Sequence, residues 1–222
     1  MTEFFEITDH LGKPTGSKKE RGEAHRNGDW HRSSHLHLIH PDHRIIFQQR
    51  SDKKDIGPNL ADVAVGGHLS PGESPEEAIR RETLEEIGID INHYPGEWIP
   101  IPGYRVAIHE FPEKNIMDHE LQKISFFLSD LRIEQLTLQR EEIFAIMEFH
   151  IPDILDLFLG KKETIINSEG RYFDHNEHHA KLKPYIRAWT KNDFIPAADH
   201  YFGKAAFIAQ SILRGQRIFP GI

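Results

Sequence analysis

Apolar positions along this chain fall into short alternating runs, interrupted by a few stretches with helical spacing. Residues 34–40 alternate, and residues 44–50 carry Ile45, Ile46 and Phe47. With His-Pro-Asp-His between them, they predict two antiparallel strands joined by a short turn. Upstream, residues 12–33 are polar and hold Lys-Pro-Thr-Gly and Arg-Asn-Gly-Asp turn signals. Residues 52–60 read as loop, and residues 61–65 as a short apolar strand leading into Gly66-Gly67. Residues 104–111, 123–128 and 143–149 have strand character, the first two separated by a polar loop that contains Met-Asp-His-Glu. Helical spacing appears at 75–87, at 151–159 behind Pro152, and at 198–213, where Phe202, Ala206 and Ala209 share one side. Strands on both sides of a helix at these lengths predict a mixed α/β core. Residues 161–195 are rich in charge and histidine. We therefore expect a core domain over 1–161, including its N-terminal segment, and a partly helical C-terminal extension over 162–222 packed on that core.

The helix at 75–87 carries the chemistry. Ser74, Pro75 and Glu77 form a capping box with proline at the first helical position, and Gly88 supplies the stop. With Ile79 at zero and 100° per residue, Thr83, Ile87 and Leu84 fall at about 40°, 80° and 140°, the expected buried arc. Glu85, Glu82 and Glu86 fall near roughly 240°, 300° and 340°, beside that arc rather than opposite it. Like charges at these spacings repel. Arg81 reaches Glu85 at i+4, and a divalent cation is the natural counter-charge for the others. An ordinary solvated acidic face is written with the same letters.

Composition narrows the setting. At 222 residues, with 38% hydrophobic and 28% charged residues, the chain suits one ordinary soluble core. No run approaches the roughly 20 apolar residues needed to span a bilayer, and the first residues lack the pattern of a signal peptide. We expect a cytoplasmic protein with no membrane partner. A net charge of −8 argues against a nucleic-acid polymer as partner, but not against a small phosphorylated molecule met through bound cations. There is no cysteine, so thiolate chemistry is excluded, and sixteen histidines are many for this length.

The full pattern runs Gly67, five residues, Glu73, seven residues, Arg81-Glu82, two residues, Glu85-Glu86, one residue, Gly88-Ile89. It resembles the Nudix box, with every charged and glycine position present and Thr83 in a slot that is usually aliphatic. The resemblance implies an α/β/α sandwich with a mixed sheet, Mg²⁺ or Mn²⁺ as cofactor, and attack of water on a phosphoanhydride. It makes Glu82, Glu85 and Glu86 metal ligands, a fitting task because oxygen ligands suit hard cations. Arg81 would orient a carboxylate, Glu73 would support the loop or a second metal, and Gly66, Gly67 and Gly72 would let backbone approach the phosphates.

Residues 21–39, RGEAHRNGDWHRSSHLHLI, together with residues 4–6, 12–16 and 117–124, are similar to the Nudix branch related to isopentenyl-diphosphate isomerase, over about residues 3–160. That resemblance implies a second metal cluster of His25, His31, His68, Asp118 and Glu120, with Glu120 also available to the first. The isomerase cysteine falls at Gly66, which cannot place an acid against an alkene carbon, whereas the hydrolytic box is intact. Hydrolysis of a diphosphate linkage is therefore the expected activity, with Glu120, Glu141 or Glu142 as base. A non-catalytic ligand-binding module and, less favoured, an isomerase are the alternatives. Nucleotide, thiamine and prenyl diphosphates stay open as substrates. Trp30, Trp98 and Tyr104 could stack on a leaving group or serve the core, and the C-terminal helix could cap the site or form a homodimer surface.

Overall fold

A computed structural model describes residues 3–173 and 182–222. In chain order the strands are β1 (Phe4–Thr8), β2 (Pro14–Glu20), β3 (Trp30–His40), β4 (Arg44–Arg50), β5 (Ala61–Val63), β6 (Val65–His68), β7 (Glu97–Pro100), β8 (Arg105–Phe111), β9 (Ile116–Leu128), β10 (Ile143–His150), β11 (Ile165–Ile166), β12 (Glu169–Phe173), β13 (Leu182–Pro184) and β14 (Ala188–Trp189). The helices are α1 (Arg21–Asn27), α2 (Pro75–Ile87), α3 (Ile151–Phe158) and α4 (Tyr201–Leu213). The main sheet runs β13-β12-β10-β4-β3-β9-β7, with β5 on β4, β6 on β3 and β8 on β9. Every pairing in it is antiparallel except β3 with β9, so the sheet is mixed as expected.

Period-two alternation divides the interior into two layers. Ile45, Phe47, Ala145, Met147 and Phe149 face a core shared with α3 and α4. Their neighbours Ile46 and Ile146 face the opposite core, where α2 contributes Ile79 and Ile87. Helices thus cover both faces of the sheet. Tyr201, Phe202, Ala205, Ala206 and Ala209 of α4 are buried in the first core, and β12 extends the same sheet from β10. Among the described residues beyond 161, β12 and α4 thus share the main sheet and its first core.

Several local expectations need correction. The polar stretch at 12–33 forms β2 and α1, whose exposed residues hide them from an apolar-pattern reading, and β3 begins at Trp30. Met-Asp-His-Glu is no loop: it lies in β9, because buried Asp118 and Glu120 take inward positions where a half-buried strand normally holds apolar residues. Residues 61–65 split into β5 and β6 around Ala64, and Trp98 lies in a strand, β7, that the pattern did not reveal. Helix α4 starts at Tyr201, after a left-handed His200. Among the described residues, no helix is long and apolar enough to cross a membrane.

Candidate active site

One wall of the site is α2 and the strand before it. Ser74 Oγ accepts from Glu77 N–H at 3.2 Å while Glu77 accepts from Ser74 N–H at 2.9 Å, and Gly88 ends the helix in the left-handed conformation. The helix is rolled further than its pattern suggests. Leu84 is 54% exposed, whereas Glu86 is 4% exposed and turned toward the sheet. Tertiary packing overrides the projected arc because Ile79, Thr83 and Ile87 fill the contact and Leu84 has nothing to meet.

Arg81 is a fork between carboxylates. Its guanidinium donates to Glu73 at 2.9 and 3.0 Å, to Glu82 at 2.7 Å, to Glu85 at 3.3 Å and to the His68 carbonyl at 3.1 Å. Glu82 in turn lies against Gly67, where an added Cβ would sit 2.2 Å from its Oε1. Burial and then the charge of Glu82 push the Glu86 carboxyl up to about 8, and burial also raises Glu82. Two buried acids side by side are costly unless a cation joins them.

The other wall comes from the parallel pair β3 and β9, whose register sets His31 opposite Glu120 and Ser33 opposite Gln122. Glu120 accepts from Ser33 Oγ at 2.8 Å and from Gln122 Nε2, and lies 3.1 Å from His68 Nε2. Burial opposes charge on His68, but Glu120 and Glu3 outweigh it and raise the imidazole to about 9. The same pairing holds Glu120 well below the usual carboxylate range despite its burial. Behind this pair, ligand atoms of His25, His31, His68 and Asp118 lie within 4.8 Å of one another. His31 Nδ1 is 3.0 Å from the Asp29 carbonyl, which fixes the ring so that its lone pair on Nε2 faces the cluster. His25 Nε2, His31 Nε2 and Asp118 Oδ1 are buried with no hydrogen-bond partner among the described residues, yet both imidazole nitrogens are within 3.5 Å of that oxygen. Orphaned donor atoms converging on one point fit a divalent cation, and burial lowers His25 to about 4, keeping its lone pair free.

Between the walls is a cleft of about 340 Å³. It brings together Glu82, Glu85, Glu86, Arg81, Glu120, Asp118, His68, Gly66, Gly67 and Glu142. Other expected residues lie elsewhere. Glu73 stands behind Arg81, and Gly72 occupies a turn at φ +86° with open space around it. Glu141 is exposed and faces a separate depression with Asp52 and Arg140. Trp30 packs on His119 and Trp98 on the α2-side core, so neither lines the cleft; Tyr104 is likewise absent from its lining. Sequence reasoning missed His35, Arg105 and Tyr201, which do line it. His35 was readable in part, since Ser-Ser-His-Leu-His places it two positions from His37 on one strand face. Arg105 and Tyr201 carry no local signal.

Comparison with known proteins agrees with this geometry. The model of the NUDIX domain matches residues 30–167. An uncharacterized Nudix hydrolase of Clostridium acetobutylicum is 33% identical over 214 residues, 95% of this chain and 97% of that protein. An isopentenyl-diphosphate Delta-isomerase of Pectobacterium atrosepticum is 27% identical over 124 residues, covering 56% of this chain and 65% of that enzyme. A crystal structure of a Deinococcus radiodurans protein superposes with a TM-score of 0.55 at 21% identity, over 72% of this chain and 91% of the other, a likeness of fold. The box on α2, the sandwich that carries it and a match across most of both chains place this protein in the Nudix family.

Proposed function

We propose that this protein is a metal-dependent pyrophosphohydrolase that cleaves a diphosphate linkage in a small nucleotide, cofactor or prenyl diphosphate. The observation that carries the reading is the buried set of box carboxylates: Glu82 and Glu86 are both pushed toward protonation by burial, with Glu85 beside them and Glu120 across the cleft. Glu82, Glu85, Glu86 and Glu120 would hold Mg²⁺ or Mn²⁺. Such a cation neutralises the diphosphate and activates water at neutral pH. The remaining work falls to the chain itself. Gly66 and Gly67 present a wall without side chains to the phosphates, and Arg81 holds Glu82 and Glu85 toward the cleft. Of the expected bases, Glu142 would take the proton of the attacking water, since His68 holds Glu120 ionised and Glu120 would be committed to metal; Lys54 pairs with Glu142. His25, His31, His68 and Asp118, with Glu120, would hold a second divalent cation; three imidazoles suit Mn²⁺ better than Mg²⁺. Isomerisation is disfavoured because Gly66 has no group to protonate an alkene.

The test is phosphate and diphosphate release, read by mass spectrometry, over nucleotide, thiamine and prenyl diphosphates with Mg²⁺ and with Mn²⁺. The parent should form one product class, and Glu86→Gln should lose on the order of 100-fold in kcat/KM while still binding ligand. A parent that binds one of these diphosphates tightly and leaves it intact would instead be a non-catalytic module.

A further inference from the structure

Three aromatic side chains on the α4 side of the sheet form a chain that ends in the cleft. His35 and His37, two apart on β3, point to the same face. The hydroxyl of Tyr201, the first residue of α4, lies 3.0 Å from His35 Nδ1 and 3.0 Å from His37 Nε2. Tyr201 is itself held in place. The Arg105 guanidinium stacks 4.0 Å over its ring and grips Asp199, two residues before it, through bonds of 2.8 and 3.0 Å.

A tyrosine hydroxyl has one proton, so it donates to one imidazole and accepts from the other. His37 decides which. Its Nδ1 is buried with no partner among the described residues. An orphaned lone pair there is less costly than an orphaned N–H, so the proton of His37 belongs on Nε2 and is donated to the tyrosine oxygen. The hydroxyl then donates to His35 Nδ1. That leaves the proton of His35 on Nε2, which has no hydrogen-bond partner among the described residues. The ring lines the cleft beside Gly66: a Cβ there would meet His35 Cδ2 at 3.0 Å and Nε2 at 3.4 Å. Burial lowers His35 to about 4, so the ring is neutral at pH 7.

We propose that His35 is a substrate-binding residue, held by Tyr201 and His37 as the tautomer protonated on Nε2 and donating that hydrogen to an oxygen of the bound diphosphate beside Gly66. The proposal rests on the diphosphate reading above and adds to it a donor outside the box, oriented by a helix beyond the matched domain. Tyr201 and His37 are positioning residues that act through His35.

The experiment uses the full chain labelled with ¹⁵N-histidine and ¹⁵N-glycine, the His35→Phe variant to assign the His35 resonances, Gly66→Ala and Gly67→Ala to assign those two amides, and methylenediphosphonate with Mg²⁺ as a probe that cannot be hydrolysed. Two-bond nitrogen–proton correlation should find His35 protonated on Nε2 in the free protein and its Nε2 resonance moved by the probe. In Tyr201→Phe the His35 tautomers should mix, and affinity for the probe should fall about twofold, the cost of a donor form populated about half the time. His35→Phe, which removes the donor outright, should lose about tenfold, and adding Tyr201→Phe to it should cause no more, a non-additivity that a purely structural tyrosine would not produce. A His35 protonated on Nδ1 overturns the proposal. So does a His35 resonance unmoved while the Gly66 and Gly67 amides shift with the probe. If no resonance moves at saturating probe and metal, the diphosphate reading falls as well.

Discussion

Gly67 shows how much one missing side chain can carry. An added methyl would overlap Glu82 at 2.2–2.6 Å, but the atoms it meets belong to a side chain that can swing away. Gly67→Ala should therefore leave the melting temperature close to that of the parent while lowering Mn²⁺ affinity and turnover by roughly 10–100-fold, the usual cost of displacing a metal ligand from its support. Calorimetric Mn²⁺ titration alongside thermal denaturation checks this. A large drop in melting temperature would instead assign Gly67 to the strand. His37 makes the same point for charge. It is fully buried against Phe126 at 4.8 Å, and burial, with the neighbouring His35 and Arg105, lowers it to about 3. Since the unfolded chain takes this proton near 6.5, the stability His37 contributes is complete above 6.5 and is lost as pH falls toward 3. Urea unfolding between pH 5.5 and 4.5 should show a parent that loses about 1.4 kcal/mol per pH unit more than His37→Gln. Equal slopes would mean that His37 is charged in the native state.

Helix α2 has its ends and its face set by different causes. The capping box and Gly88 are local, so both ends were legible in the letters 74–88. Ser74→Ala should cost about 1 kcal/mol, seen as a fall of about 2–4 °C in melting temperature for a chain of this size. Turnover at 25 °C should barely change, because Ile79 and Ile87 still fix the helix on the sheet. Unchanged stability would mean that packing alone holds the first turn. The exposed Leu84 and buried Glu86 were not legible, because the roll of the helix is decided by what the sheet offers opposite it. β9 misled for a related reason. Asp118 and Glu120 look like loop residues, but the burial of Glu120 is met by His68, Ser33 and Gln122, which come from β6, β3 and a second position on β9 itself, and Asp118 is gathered with His25 of α1 and His31 of β3 into the candidate metal cluster.

For the molecule as a whole, period-two strands and one capped helix were enough to predict a mixed α/β core, since those signals depend on residues close in the chain. The box was also legible, because a metal-binding helix must bring several acids to one sector within two turns. The sequence by itself thus determined the family, the sandwich and the carboxylates on α2. Only the tertiary structure decided the rest of the cleft. The parallel register of β3 and β9 brings His31 to Glu120 across 89 positions of chain, and α4 reaches His35 with Tyr201 across 166. Glu141 fell away from the cleft although Glu142 lines it, because both sit in the turn closed on the Gln139 carbonyl before β10, which sends adjacent side chains to different sides. Such groupings leave no periodic trace, because the side chains concerned meet through packing between elements distant in sequence rather than through spacing within one.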